Sequence, residues 1–255
     1  MIGHRGCAGE APENTLAAFE RGLACGATIL ESDVHLTRDG FPVLIHDDEV
    51  DRVTNGRGRV TQLDLAELQK LDAGHHFSPD GGRSHPARGA GHRIPTLHEA
   101  LQAFPTARFN LELKEPVPGL VERTVEVVRA AHRAESCLLT SANDALMAEL
   151  RAHVAQQRVP VALGACTAEV AGFALAAAAG RPPPAGPQAL QIPPDFAGHP
   201  LVTPKLIDHA HAHGVQIHVW TINEPDEMTA LLALGVDGIV TDFPARLVEQ
   251  LARRS

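Results

Sequence analysis

The chain has 255 residues, 44% of them apolar, and a formal charge of −9 from 22 basic and 31 acidic residues. That length is ordinary for one α/β barrel and long for one sandwich, and the apolar fraction is enough to fill a sizeable core. The acidic balance excludes nucleic acid as the main partner, since backbone phosphates demand a basic footprint, but it allows a local basic site for a small anion.

Strands are predicted over 1–5, 28–36, 41–46, 108–113, 136–140, 159–164, 188–192, 215–221 and 238–241. Helices are predicted over 15–25, 63–71, 97–103, 118–133, 143–154, 168–179, 203–213 and 225–234. Strand–helix alternation implies a parallel sheet. One connection breaks the rule. Residues 36–42, "LTRDGFP", are too few for a parallel crossover, which needs about ten or more. Segments 28–36 and 41–46 therefore form an antiparallel hairpin centred on Asp39-Gly40. If these two central residues make the turn, His46 falls opposite Asp33.

The remaining strands number eight, which predicts a single TIM (β/α)8 barrel over 1–255, with a β-hairpin after strand 2. A small insertion at about 47–95 is expected to cap the barrel mouth. Its polar stretch 74–93 reads either as a lid or as an unstructured loop. The first strand is short, because "GHRG" begins at residue 3; either the strand is stunted or the start codon lies upstream.

No apolar signal core is present in "MIGHRGCAGE", and the Ala-rich run 168–180 is shorter than the about 20 residues a bilayer span needs. A soluble, cytoplasmic protein without a transmembrane segment is expected, with monomer and homo-oligomer both open. Cys7, Cys25, Cys137 and Cys166 are far apart in sequence and form no C-x-x-C, so they read as buried free thiols.

Strand parity locates the chemistry. Glu31, Asp33 and His35 share one face of the second strand, against Leu30, Ser32, Val34 and Leu36. Asn110, Glu112 and Lys114 do the same against Phe109, Leu111 and Leu113, and Gln216, His218 and Trp220 against Ile217 and Val219. In a barrel the apolar sets meet the helices, so the polar sets point into the lumen, and active sites sit at its C-terminal mouth. Converging carboxylates repel unless something neutralises them. A divalent cation on Glu31, Asp33 and Glu112 does so, and oxygen donors favour Mg²⁺ or Ca²⁺ over zinc. Ordinary salt bridges to Arg5 and Lys114 are the plainer alternative.

His4 and His46, at strand ends beside these acids, suit general acid and base roles. Arg5 and Lys114 suit a phosphate. Asn14 or Thr15 caps the first helix, and a site role for Asn14 competes with that. Trp220 either stacks on substrate at the mouth or fills the core. The "HAHAH" run at 209–213 reads as an outward helix face rather than a metal site.

The segments "GHRG", "PENTLAAF", "ESDVHLTRDGFPVLIHDD", "RVTNGRGRV", "IPTLHEAL", "LELK" and "VWTIN…GVDGIVTDFP" resemble, in order, the glycerophosphodiester phosphodiesterase family. The resemblance implies a TIM barrel that hydrolyses glycerophosphodiesters, small-molecule substrates, to sn-glycerol 3-phosphate and an alcohol. It implies Glu31, Asp33 and Glu112 as ligands of one divalent cation, and His4 and His46 as the acid/base pair. It implies Arg5 and Lys114 as phosphate contacts, with Glu13 and Asn14 near the substrate. The residues leave open which histidine is the acid; the resemblance points to His46 as acid and His4 as base. Ser141-Ala142 stands where the family has Ser-Phe, which would enlarge the alcohol side of the pocket. Two rivals are a lysophospholipase D-type phosphodiesterase on the same fold, which needs an acceptor for an acyl chain, and a non-catalytic phosphate-binding barrel.

Overall fold

The structure, a computed structural model, describes residues 1–253. Eight parallel strands carry the fold: β1 (Ile2–Gly3), β2 (Ile29–Leu36), β4 (Arg108–Leu113), β5 (Cys137–Thr140), β6 (Ala162–Leu163), β7 (Ala189–Ile192), β10 (Gln216–Val219) and β11 (Gly238–Thr241). They pair in the order β6-β5-β4-β2-β1-β11-β10-β7. The seam between β6 and β7 is bridged by Gln188, whose N–H donates to the Leu163 carbonyl at 2.8 Å and whose Oε1 accepts from Leu163 N–H at 2.7 Å. The result is a nearly closed TIM barrel.

The helices alternate with the strands: α1 (Leu16–Ala24), α2 (Leu65–Leu68), α3 (Leu97–Ala103), α4 (Leu120–Ala130), α5 (Asp144–Gln157), α6 (Thr167–Ala179), α7 (Pro204–Ala212), α8 (Pro225–Leu234) and α9 (Pro244–Ala252). Their apolar faces meet the outward face of the strands. Leu30, Val34, Phe109, Leu111 and Leu113 pack in one cluster with α3, α4 and α5 residues, and Ile217 and Val219 in another with α6, α7 and α8 residues. Strand alternation thus leaves the polar face of β2 and β4 to the lumen. β1 is only two residues long, yet it pairs on both sides, with β2 and β11.

β3 (Pro42–Leu44) pairs antiparallel with β2, Val34 opposite Leu44 and Leu36 opposite Pro42. The register differs by one residue from a two-residue Asp39-Gly40 turn. The loop is three residues, 38–40: Thr37 N–H donates to the Phe41 carbonyl, and Gly40 takes the left-handed φ of +85° that closes such a loop. Asp33 therefore stands opposite Ile45, whose N–H it accepts at 3.1 Å. His46 is beyond the ladder and reaches the mouth because the chain leaves the sheet there.

Three further departures have local causes. The helix expected at 63–71 is one turn, α2, held by a capping box of Asp64 and Glu67, and the insertion packs Val50, Val60, Leu68, Ala73 and Ile94 with Val43 and Ile45 of the β3 segment in a small separate core. The hairpin of β8 (Asp195–Phe196) and β9 (His199–Pro200) is exposed on both strands, so no hydrophobic alternation announces it. α9 buries Pro244, Leu247 and Gln250, an i, i+3, i+6 face that the sequence contains. Among the described residues no helix is long and apolar enough to cross a membrane.

Candidate active site

The loop after β1 is pressed onto α1. A Cβ at Gly3 would stand 2.1 Å from the Gly6 carbonyl oxygen, and one at Gly6 2.6 Å from the Ala18 carbonyl carbon. Arg5 is left-handed at φ +48°. The turn aims its N–H at Glu31 Oε2, 2.8 Å away, and its guanidinium at Glu13 Oε1, 2.8 Å away. Thr15 is the cap of α1, accepting Ala18 N–H. Asn14, also left-handed at φ +57°, is thereby free for other work: its amide donates to Asp33 Oδ2 at 3.0 Å and its Oδ1 accepts from Ser32 at 2.6 Å.

His4, Arg5, Glu31, Asp33, His46, Glu112, Lys114 and Trp220 meet at one cavity of ≈ 280 Å³ at the barrel mouth. That size suits a small molecule. Glu13 and Asn14 are not among its lining residues; they stand behind Arg5 and Asp33. Glu13 is clamped by two guanidiniums, Arg5 and Arg52, which outweigh its burial and hold its pKa below the usual range.

Each histidine is fixed by a carboxylate. His4 Nδ1 lies 2.6 Å from Asp242 Oδ1, and His46 Nδ1 lies 2.7 Å from Asp47 Oδ1. Burial alone would lower the His4 pKa, but the Asp242 hydrogen bond and the charge of Glu31 outweigh it, so the net shift is upward. Burial works against the Asp47 carboxylate too, yet bonds from Arg52 and His46 hold its pKa down to about 2. Asp242 is anchored further by Asn223, whose amide donates to Oδ2 at 2.7 Å.

His35, on the same face of β2 as Glu31 and Asp33, does not line the cavity. It is 2% exposed, and its Nε2 lies 3.1 Å from the His46 carbonyl oxygen, a strut under the second histidine.

On the acidic side, burial and the neighbouring Asp33 push Glu31 up to about 7. Asp33 is buried as well, but Lys114 (3.3 Å), Arg5 (3.6 Å) and the Asn14 amide hold its pKa down. Lys114 also reaches Glu112 at 3.1 Å. Two buried polar atoms, Arg5 Nε and Asn110 Oδ1, make no hydrogen bond. A donor set of three carboxylates, one left without its own counter-charge, fits a hard divalent cation. The three acids are not drawn tightly together, however. Among the described residues, the one trio of metal-type ligand atoms all within 4.8 Å of one another is Cys7, Glu10 and Cys25.

A glycerophosphoryl diester phosphodiesterase family model matches residues 4–246. The chain belongs to that family. A glycerophosphodiester phosphodiesterase of Caldanaerobacter subterraneus is 32% identical over 97% of this chain and 96% of the relative. A human lysophospholipase D is 29% identical over 96% of this chain and 84% of the relative. The structure of an Oleispira antarctica phosphodiesterase, in complex with the product sn-glycerol-3-phosphate, superposes with a TM-score of 0.78 at 28% identity, over 98% of this chain and 96% of that one.

Three residues that hold the two histidines in place do not stand out in the sequence: Asp47, Asp242 and Asn223. All lie in the quoted segments "HDD", "TDFP" and "TIN". Only the fold brings the last β-strand beside the first, so no spacing could have tied Asp242 to His4.

Proposed function

We propose that this enzyme hydrolyses glycerophosphodiesters to sn-glycerol 3-phosphate and an alcohol, with His4 and His46 moving the protons and Glu31, Asp33 and Glu112 holding one Mg²⁺ or Ca²⁺ ion. The observation that carries the reading is the pair of imidazoles, each held at Nδ1 by a carboxylate, on one cavity with Arg5 and Lys114. With Nδ1 engaged, Nε2 of each ring is left for proton transfer.

Arg5 and Lys114 bind the phosphate. The buried Arg5 Nε makes no hydrogen bond among the described residues, its ion-pair partner Asp33 Oδ2 standing 3.6 Å away, so it gains one when a phosphate oxygen arrives. The cation, when bound, supplies Lewis-acid stabilisation of the charge that develops on the phosphoryl oxygens. His4 accepts the proton of the attacking hydroxyl, from the glycerol 2-OH or water, as its oxygen bonds to phosphorus. The P–O bond to the alcohol breaks, and His46 delivers a proton to the departing oxygen. If the glycerol hydroxyl attacks, water then opens the cyclic phosphate with the two roles reversed. Glu13 orients Arg5, Asn14 orients Asp33, and Trp220, half-exposed at the mouth, offers a face for the glycerol or the leaving group. Four free thiols are compatible with a reducing compartment such as the cytoplasm.

A second reading, hydrolysis of lysophospholipids as in the name of the human relative, is favoured by exposed apolar side chains: Trp220 at the mouth, and Phe196 on the hairpin in the loop that follows β7. Release of glycerol 3-phosphate from several water-soluble diesters, assayed with and without each metal, tests the first reading. Release only from lysophospholipids supports the second. No release from any diester overturns both and leaves a phosphate-binding barrel.

A further inference from the structure

Cys7, Glu10 and Cys25 lie outside the catalytic cavity, between the loop after β1 and the end of α1. Their ligand atoms all fall within 4.8 Å of one another. Cys7 and Glu10 belong to one tight turn, in which the Cys7 carbonyl accepts the N–H groups of Glu10 and Ala11 at 2.9 and 3.0 Å. Cys25 is the C-cap of α1, where the carbonyl end of the helix favours a positive charge. Cys7 is fully buried, while Glu10 and Cys25 are only partly so, which gives a cation a route in from solvent.

We propose that Cys7, Glu10 and Cys25 form a binding site for a thiophilic divalent cation of the zinc class, distinct from the all-oxygen set at the barrel mouth. Two sulfurs and one carboxylate are a soft-to-borderline donor set, suited to zinc, cadmium or cobalt and not to magnesium or calcium. Solvent completes the coordination. Thiolates bound at about 2.3 Å in a tetrahedron stand roughly 3.8 Å apart, so separations of up to 4.8 Å close by a side-chain adjustment of about 1 Å. A disulfide would need only the two sulfurs; the converging carboxylate is what favours a cation.

Arg21 is the built-in competitor. Its Nε and Nη2 both donate to Glu10 Oε2, at 2.8 and 2.5 Å, from an exposed position. The site also touches the catalytic loop. Cys7 Sγ lies 3.6 Å from the Asp242 carbonyl oxygen, and the Asp242 side chain holds His4. A cation here staples that loop to α1.

The test uses the full chain, reduced and oxygen-free, with excess magnesium to occupy the oxygen donors. Cobalt(II) is titrated and followed by its thiolate charge-transfer absorbance, which carboxylates do not produce. One equivalent should develop the band and zinc should displace it. Cys25→Ser should abolish it, Glu10→Gln should weaken cobalt binding about tenfold or more, Arg21→Ala should strengthen it, and Cys166→Ser should leave it unchanged. Zinc should raise the melting temperature of the wild type and not that of Cys25→Ser. Because Cys7 is fully buried, Cys25→Ser is the lead variant. Absence of the band in the wild type, or its persistence in Cys25→Ser, overturns the site. A Cys7–Cys25 disulfide formed in air, with no cobalt bound after reduction, overturns it in favour of a redox pair.

Discussion

His4 Nδ1 lies 2.6 Å from Asp242 Oδ1, although the two residues are 238 positions apart in the chain. The carboxylate fixes the ring and raises its basicity. If His4 is the base, it must be neutral to work, so activity is lost as pH falls through its raised pKa. Asp242→Asn removes the charge that lifts that pKa. The acid limb of the kcat/KM profile should move to lower pH, with kcat down about 10²-fold. A drop in kcat with an unmoved limb would count against His4 as the group titrating there.

His4→Ala and His46→Ala should each lower kcat about 10²–10⁴-fold with little loss of stability, since neither ring is a core residue. Steady-state kinetics beside thermal melts will check this. Near-normal turnover in both variants would sink the acid/base assignment.

Chelation by EDTA should abolish turnover, and Mg²⁺ or Ca²⁺ should restore it. Glu31→Gln should raise the metal concentration needed for half-maximal activity, because it removes a carboxylate that, among the described residues, accepts a hydrogen bond from the Arg5 N–H and has no Lys or Arg side chain paired with it. Full activity in EDTA after exhaustive dialysis would leave Arg5 and Lys114 as the sole charge stabilisers.

Trp220 is 44% exposed, so it does not fill the barrel core. Trp220→Ala should raise KM more for a diester with a bulky alcohol than for one with a small alcohol. Equal increases would place the indole on the shared glycerol side.

His218 reports on the fold rather than on catalysis. It is 5% exposed in the lumen, and burial pushes its pKa down to about 4 from an ordinary 6.5. The folded state therefore binds this proton less well than the unfolded chain does. Its contribution to stability is intact above pH 6.5 and is lost as pH falls towards 4, to a limit of about 3 kcal/mol. Denaturant melts between these pH values, compared with His218→Gln, should show a shallower acid loss in the variant.

Much of the barrel and most of the cavity were legible in the chain, because both follow from short-range rules. Alternation on β2 and β4 sends Leu30, Val34, Phe109 and Leu111 to the helices and Glu31, Asp33 and Glu112 to the lumen, whatever the rest of the chain does. A seven-residue link cannot cross over, so β3 had to return antiparallel.

What needed the tertiary structure was everything set by closure and by single steps of register. A three-residue turn in place of a two-residue one moved Ile45, not His46, opposite Asp33. His35, on the lumen face by parity, became a strut to the His46 carbonyl. Barrel closure set Asp242 against His4. The loop after β1, packing back across α1, left Cys7 beside Cys25, thiols that look isolated in sequence. Parity and loop length are properties of neighbouring residues and are written locally. Contacts between distant strand ends depend on where the whole ring of strands closes, and no stretch of sequence contains that by itself.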